Sequence, residues 1–166
     1  MIVILAKAEA KINDELEILS RVRQDLKKDS VISKLFKSKD KKISLIDGIP
    51  IDFSDEIDVS AKTINSRVIL NKKLLHEPYD ILYRYAVHEV VHSLQHIDID
   101  GTSDNYEGFE YLDRPDELEA FQYQIESDKN RRSEEEVVEY VEDLVDYHEI
   151  PDEHKENKKE QLLERT

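Results

Sequence analysis

Cysteine is absent from the 166-residue sequence, and no run of apolar residues approaches the length needed to span a membrane. Without cysteine, disulfides and thiolate metal sites are excluded, so any metal must be held by histidine and carboxylate side chains. The apolar stretch at residues 1–6 is too short for the hydrophobic region of a signal peptide, and no basic residues precede it. We therefore expect a cytoplasmic location.

Basic residues are scarce relative to acidic ones. The 24 Lys and Arg residues face 39 Asp and Glu residues, which gives a formal net charge of −15. This balance argues against nucleic acid and against an anionic membrane surface as partners. It is compatible with a soluble protein, a DNA mimic or a protein that binds basic partners. The length predicts one domain with a single core, which we place at residues 1–150, before a charged C-terminal tail at 151–166.

The most informative stretch is residues 79–96, which contains neither Gly nor Pro and has apolar residues almost all round. It predicts a buried helix. Within it, His88-Glu89-Val90-Val91-His92 fits the pattern H-E-x-x-H. Because residues four apart lie on one helical face, His88 and His92 project together and can bind one Zn²⁺, with Glu89 beside the metal as a candidate general base. The alternative is that both histidines are hydrogen-bonded core residues and Glu89 is a surface charge.

A third zinc ligand is predicted on a second helix, within residues 111–124. Pro115 suits the first helical position, and a carboxylate at Glu117 suits the positive end of the helix dipole. A catalytic zinc site needs a third protein ligand, which Glu117 can supply. Ala120, one turn later, would let this helix approach the histidine helix closely. Glu119 points elsewhere and is the alternative ligand, and a Glu in a first helical turn also needs no metal to explain it.

Several further side chains are candidates for the site. Tyr111, just before the ligand helix, is the first choice for stabilising a tetrahedral oxyanion, with Tyr106 and Tyr123 as alternatives; tyrosines near helix starts also serve in packing. His96 follows His92 by four residues and could compete as a ligand, but it lies one turn further along the helix. The remaining histidines have no partner at ligand spacing and are expected to have no role in the site: His76, His148 and His154.

The rest of the chain predicts helices around a small sheet. Periodic apolar residues at 6–28 predict an amphipathic N-terminal helix, with a partner-binding helix as the alternative, and residues 37–42 predict an exposed linker. Alternating apolar residues predict one hairpin at 43–53 and another at 59–71, and hence a mostly antiparallel sheet. An edge strand beside the histidine helix could pair with an extended peptide, or it could be an ordinary edge.

The two segments after the histidine helix differ in character. Residues 97–108 are acidic but do not fit the EF-hand template. We predict that residues 98–108 form a mobile lid at the mouth of the zinc site, whose negative charge favours basic peptides; the alternative is an ordinary acidic connection. Ser133 predicts the start of a C-terminal helix. Residues 152–166 predict a charged helix or a disordered tail, and we favour a solvated tail.

The combined motif resembles the minimal gluzincin zinc peptidases, small zincin-fold domains often encoded by phages and mobile elements. H-E-V-V-H is followed, 25 positions after its second histidine, by E-L-E-A at residues 117–120. Leu94-Gln95 and the run Tyr…Pro-x-Glu-x-Glu-Ala are also similar to those proteins. The resemblance covers about residues 59–127. It implies an α+β zincin-like fold, zinc bound by His88, His92 and Glu117, and Glu89 as the catalytic acid/base.

The activity implied is zinc-dependent hydrolysis of a peptide or protein substrate, in the host cytoplasm or the virion if the gene belongs to a phage. In this mechanism a zinc-activated water attacks the scissile carbonyl and Glu89 takes its proton. Two other classes stay open. One is a catalytically silent zinc protein with a structural or virion role, whose site would be closed by a fourth protein ligand. The other is an acidic interaction protein without metal.

Overall fold

The computed structural model describes residues 2–98 and 110–164, with side chains described within 14–95 and 110–164. Over these residues the fold is α+β, as the sequence predicts. No described helix combines the length and apolar character that crossing a membrane requires. The α-helices are α1 (Ile2–Lys28), α2 (Ser30–Ser33), α3 (Lys39–Gly48), α4 (Tyr79–Asp98), α5 (Pro115–Asp128), α6 (Glu134–Tyr147) and α7 (Asp152–Leu163). Short 3-10 helices lie at Lys72–His76 and Tyr111–Asp113, and the strands are β1 (Ile51–Ser54), β2 (Ala61–Ile64) and β3 (Arg67–Asn71).

The sheet has the order β1-β3-β2, with β3 in the centre. β2 and β3 pair antiparallel through a tight turn at Asn65 and Ser66, whose φ angles are 50° and 63°. Val68 and Leu70 of β3 are fully buried, so the second predicted hairpin is confirmed. β1 pairs with β3 in parallel, and the expectation of a mostly antiparallel sheet is wrong. Residues 55–60 carry the chain past β3 to the far edge, and the hairpin then returns it alongside β1 in the same direction.

The first predicted hairpin is wrong because α3 occupies most of residues 43–53. Ser38 caps this helix, its hydroxyl accepting a backbone N–H of the first turn at 3.2 Å. Leu45, which the alternating pattern placed inside, is 37% exposed. The linker predicted at 37–42 is also shorter than expected, since the helix begins within it. Three buried residues in and directly after α3 recur at steps of four and three, the spacing of one helical face: Lys42, Ile46 and Ile49.

The N-terminal helix is longer than the sequence predicts. α1 extends the helix predicted at 6–28 back to Ile2. Val22 and Leu26 are fully buried, as the periodicity predicts, whereas Leu16 is 60% exposed. The lid predicted at residues 98–108 lies outside the described residues, apart from Asp98, where α4 ends.

Two clusters of buried apolar side chains form the interior. The first lies among α1, α2, α3, the sheet and α4. The second lies among α5, α6 and α7 and includes Val141 and Leu162. α5 belongs to both clusters, because Ala120 and Tyr123 pack into the first and Phe121 into the second. This double packing holds α5 against α4, so the charged first turn of α5 lies beside the histidine helix.

The C-terminal region is a pair of packed helices. Ser133 caps α6 by accepting the backbone N–H of Glu136 at 3.2 Å, which confirms the predicted start. The sequence left two alternatives for residues 152–166, a charged helix and a disordered tail. In the structure, residues 152–163 form the helix. α7 packs against α5 and α6, and its Lys158 and Leu162 are buried. This segment is therefore part of the packed structure and not a tail surrounded by solvent.

Candidate metal centre

α4 carries the H-E-x-x-H motif on a helix that is buried on several sides. It begins after Pro78 and packs against the sheet and α5. His88 and His92 are themselves only 5% and 8% exposed. Four apolar residues that interleave with the motif have no exposed surface: Ala86, Val87, Val90 and Val91. The apolar character of the stretch therefore places two polar imidazoles in the interior, where they need partners.

Glu117 reaches the two histidines from the first turn of α5. Pro115 opens this helix, and Ala120, one turn later, is fully buried on the side that packs into the first cluster. Three atoms form a triangle with equal sides: Nε2 of His88, Nε2 of His92 and Oε2 of Glu117 lie 3.1 Å from one another. This buried group could hold a metal ion. The structure thus brings the three predicted ligands to one point.

Two glutamine side chains orient the imidazoles. Oε1 of Gln124 lies 3.0 Å from Nδ1 of His88, while its Nε2 donates to the hydroxyl of Tyr140 at 2.6 Å. Oε1 of Gln95 lies 2.7 Å from Nδ1 of His92, while its Nε2 donates to a backbone carbonyl of α5 at 3.0 Å. Because each amide nitrogen is engaged elsewhere, each amide oxygen accepts the Nδ1 proton of its histidine. In its neutral form each ring then directs an Nε2 lone pair into the triangle.

Hydrogen bonding and charge couple His92 to Glu117. Burial disfavours the charged imidazole, but the hydrogen bond to Glu117 and its negative charge outweigh burial and raise the pKa of His92 to about 9. Burial also opposes the charge on Glu117, but its hydrogen bonds with both histidines hold the pKa of this carboxyl well below its usual range. A metal cation at the triangle would compete with a proton on His92.

Glu89 is held by the neighbouring hairpin. It is only 8% exposed, and Oγ1 of Thr63 donates to its Oε2 at 2.6 Å. The same Oγ1 lies 3.0 Å from the backbone oxygen of Glu89. Ser93 of α4 donates to the backbone oxygen of Ser66 at 2.7 Å, so the hairpin is joined to α4 at two points. The carboxylate of Glu89 is consequently fixed by a strand that the motif does not contain.

Of the three candidate tyrosines, Tyr111 lies beside the triangle of candidate ligands. Its hydroxyl is hydrogen-bonded to Glu117, and burial together with that charge raises the pKa of Tyr111 well above its usual range. Its ring stacks on His148 with centroids 4.8 Å apart. Tyr123 packs in the first apolar cluster instead, and Tyr106 lies outside the described residues.

His148 lines a cavity at the site, although it is not part of the ligand group. It follows the last residue of α6, and burial lowers its pKa. Glu149 adopts a φ of 54°, and the N–H of Ile150 donates to the backbone oxygen of Val145 at 3.1 Å. This arrangement ends the helix in a Schellman-type turn. The turn fixes the imidazole of His148 against the ring of Tyr111.

The alternative ligands do not join the triangle. Glu119 accepts a hydrogen bond from Nε2 of Gln95 at 3.1 Å and so helps to orient the glutamine that holds His92. The side chain of His96 lies outside the described ones. Two further histidines are exposed and are not part of the metal group: His76 and His154.

Of the three candidate ligands, His88 lines a cavity of about 690 Å³, which Glu89 lines as well. Its other walls come from the chain around the start of β2, from α5 and from α6. Sequence reasoning missed several residues of this site. Gln124 lies seven positions after Glu117 and thus on the same helical face, which is a signal that could have found it. Thr63 and His148 come from other elements, and no spacing in the sequence relates them to the motif.

No protein-family model matches the chain, and neither a curated protein nor a solved structure matches it.

Proposed function

We propose that this protein is a zinc-dependent peptidase with a zincin-like fold. One observation carries the proposal: a group of three potential ligands adjoins a cavity that is also lined by a separate buried carboxylate, Glu89. A metal ligand set and an independent acid/base group are the two parts that metal-assisted hydrolysis needs. The acidic net charge of −15 supports a protein or peptide partner over nucleic acid. A cytoplasmic location stays a prediction.

Zinc fits the donor set. Zn²⁺ binds imidazole nitrogen and carboxylate oxygen at about 2.0–2.1 Å, and tetrahedral bonds of that length separate the ligand atoms by about 3.3–3.4 Å. The observed separations of 3.1 Å are close to this value. No other described His, Asp or Glu side chain joins the group. Three protein ligands are typical of catalytic zinc sites, whereas structural sites usually have four.

The chain's own residues provide the proton transfers of hydrolysis. Zinc would supply a Lewis acid that lowers the pKa of a water molecule and polarises the scissile carbonyl. Glu89 accepts a proton from the water as the water oxygen bonds to the carbonyl carbon. It then delivers that proton to the amide nitrogen as the C–N bond breaks, which leaves an amine and a carboxylic acid that keeps the second proton of the water. Thr63 holds Oε2 of Glu89 and leaves Oε1 for the proton.

Two further groups would act on the substrate. Tyr111, whose hydroxyl lies at Glu117, is the proposed donor to the carbonyl oxygen as that oxygen becomes negative. β2 is an edge strand that pairs only with β3 among the described strands, and it packs beside α4. Its outer backbone groups can therefore pair with an extended peptide and align it along the histidine helix.

The test compares zinc-loaded wild type with Glu89→Gln. We expect wild type to cleave members of a broad peptide library, detected by mass spectrometry, and Glu89→Gln to cleave none. Gln is nearly isosteric with Glu but cannot accept the proton, so zinc content by elemental analysis and the circular dichroism spectrum should not change. Glu134→Gln, at an exposed position of α6, makes the same chemical change away from the site and should keep full activity.

Three results would contradict the proposal. Equal turnover by wild type and Glu89→Gln would remove this carboxylate from the mechanism. A wild-type protein that binds stoichiometric zinc but cleaves no library member would instead be a catalytically silent zinc protein. Absence of zinc from the purified protein, with none taken up on addition, would leave the acidic interaction protein.

A further inference from the structure

The cavity beside Glu89 has an unusually aromatic wall. An unbroken series of ring contacts leads from the protein surface to a metal ligand. Tyr147 lies 5.1 Å from His148, His148 lies 4.8 Å from Tyr111, Tyr111 lies 6.3 Å from Phe121, and Phe121 lies 4.4 Å from His88, between ring centroids. Tyr147 is 81% exposed, and a large aromatic ring left in solvent at a cavity mouth is a common mark of a binding surface.

α6 and the chain before β2 contribute further lining residues of the cavity. Tyr140 and Leu144 line it from α6, and Val59, which is 44% exposed, lines it from the chain before β2. The volume of about 690 Å³ is within the range of about 300–1,000 Å³ that is usual for ligand pockets. The space is therefore large enough for a bulky side chain together with part of its backbone.

The charges around the cavity are unequal. Asp58 and Asp143 are exposed at its lining, and Lys73 is the one Lys or Arg among the described lining residues. The cavity thus combines aromatic surface with a net negative charge, in a chain whose formal net charge is −15. A positively charged ligand would be attracted to this mouth, and a negatively charged one would be repelled.

We propose that the cavity binds a basic peptide segment. A large aromatic side chain of the peptide lies against Phe121, Tyr140 and Tyr147, and a neighbouring Lys or Arg lies near Asp58 and Asp143. This inference rests on the proposed function, because it names the class of peptide that would be brought to Glu89. It attributes the selectivity for basic peptides to residues of α6 and of the segment before β2.

The absence of tryptophan from the chain makes the test direct. Fluorescence of a tryptophan placed in a peptide then reports binding without background from the protein. The full-length zinc-loaded Glu89→Gln protein is titrated with blocked peptides containing Lys-Trp-Lys or Glu-Trp-Glu, and a Lys-Gly-Lys peptide serves as competitor. At low ionic strength we expect Lys-Trp-Lys to bind about tenfold more tightly than Glu-Trp-Glu. Lys-Gly-Lys should compete poorly, because it lacks the ring.

Variants of exposed lining residues test the location. Tyr147→Ala should weaken binding of Lys-Trp-Lys, and the double variant Asp58→Asn with Asp143→Asn should reduce the difference between the two Trp peptides. The matched control is Glu134→Gln with Glu160→Gln, two exposed positions outside the cavity lining, which removes the same charge and should keep that difference. Circular dichroism verifies that each variant is folded.

The outcomes separate this inference from the proposed function. Equal affinity for the two Trp peptides, no measurable binding of either, or affinities that none of the cavity variants changes would overturn the cavity assignment. If Lys-Trp-Lys binds as expected but zinc-loaded wild type cleaves neither it nor any library peptide, the peptidase proposal fails and the cavity assignment stands. If wild type instead cleaves many peptides without regard to Trp or Lys, the peptidase proposal stands and the cavity assignment fails.

Discussion

At the scale of single residues, the metal group depends on side chains that themselves bind no metal. Gln95 and Gln124 each use an amide oxygen to hold an Nδ1 proton and an amide nitrogen to anchor themselves elsewhere. The anchors lie on other helices, so the orientation of each imidazole depends on how α4 packs against α5 and α6. Such hydrogen bonds fix the tautomer of a ligand histidine and strengthen it as a donor.

The first prediction separates the two candidate carboxylates of α5. Glu117→Ala should lose most of its zinc, because Oε2 of Glu117 is a corner of the triangle. Glu119→Ala should keep stoichiometric zinc with an affinity reduced by about tenfold at most, since Glu119 acts only through Gln95. Elemental analysis after dialysis against a weak chelator measures both. Full zinc in Glu117→Ala and none in Glu119→Ala would reverse the assignment.

The second prediction concerns Thr63. Thr63→Val keeps the shape of the side chain but removes the hydroxyl that holds Oε2 of Glu89 at 2.6 Å. We expect kcat to fall by about 10- to 100-fold with unchanged zinc content, because misplacing a general base costs that order of rate.

Thr63→Ser is the matched control, because it restores the hydroxyl and should restore most of the rate. A purely structural role would lower stability without a selective loss of kcat. If Thr63→Val and wild type have the same kcat, Thr63 does not position Glu89.

At the scale of elements, the candidate site depends on α5 lying between two apolar clusters. The H-E-x-x-H spacing and a first-turn Glu are local patterns, so the sequence alone predicts the ligand triangle. Thr63, Tyr140 and His148 reach the site only because the hairpin and α6 pack against the ligand helices. No periodicity within one element encodes such contacts, which is why the sequence did not predict them.

In the segment 43–53, a local sequence pattern predicts the wrong secondary structure. Ile43 and Leu45 alternate as in a strand, yet the structure forms α3 over most of this segment. Lys42 decides the outcome, because its ammonium donates to the backbone oxygen of Asp29 at 2.7 Å and to Ser33 at 2.5 Å while its carbon chain is buried. A pattern that counts Lys as polar and outward-facing cannot recognise this buried position on a helical face.

The third prediction concerns the turn of the β2–β3 hairpin. Asn65 and Ser66 both have positive φ, at 50° and 63°, which this turn type requires. Asn tolerates that conformation, whereas Ser is strained in it. Ser66→Gly should therefore stabilise the protein by about 0.5–1 kcal/mol, measured by urea denaturation. The backbone oxygen of Ser66, which accepts the hydroxyl of Ser93, is unaffected by this substitution. A lower free energy of unfolding in Ser66→Gly would show that this turn is not strained.

At the scale of the whole molecule, Asp29 joins the N-terminal helices to both ligand helices. Its Oδ1 accepts the N–H of Val31 at 2.9 Å, which caps α2. Its Oδ2 accepts the hydroxyl of Tyr83 from α4 at 2.8 Å and that of Ser127 from α5 at 2.6 Å. One carboxylate thus connects α2, α4 and α5 on the side of the helices away from the sheet hairpin.

The fourth prediction follows from this connection. Asp29→Ala should lower the free energy of unfolding by about 3 kcal/mol, because it removes a helix cap and leaves the buried hydroxyl of Tyr83 without its acceptor. Asp14→Ala, at an exposed position of α1, is the matched control and should change stability by less than about 0.5 kcal/mol. Urea denaturation followed by circular dichroism measures both. Equal stability of the two variants would show that Asp29 does not join the helices energetically.

The last prediction concerns removal of the metal. The three ligand residues lie on two helices, and metal bound at the triangle would link α4 to α5 in the folded state only. Free zinc at about 1,000 times its Kd would then stabilise the protein by about 4 kcal/mol, which for a domain of this length corresponds to a Tm shift on the order of 10 °C. A strong chelator should lower the Tm of wild type by that amount and leave His88→Ala unchanged. The metal-free protein should keep its helical circular dichroism, because the apolar clusters remain and the His92–Glu117 ion pair occupies the triangle. A wild-type protein that contains zinc but has the same Tm with and without chelator would show that the metal does not bind between these helices.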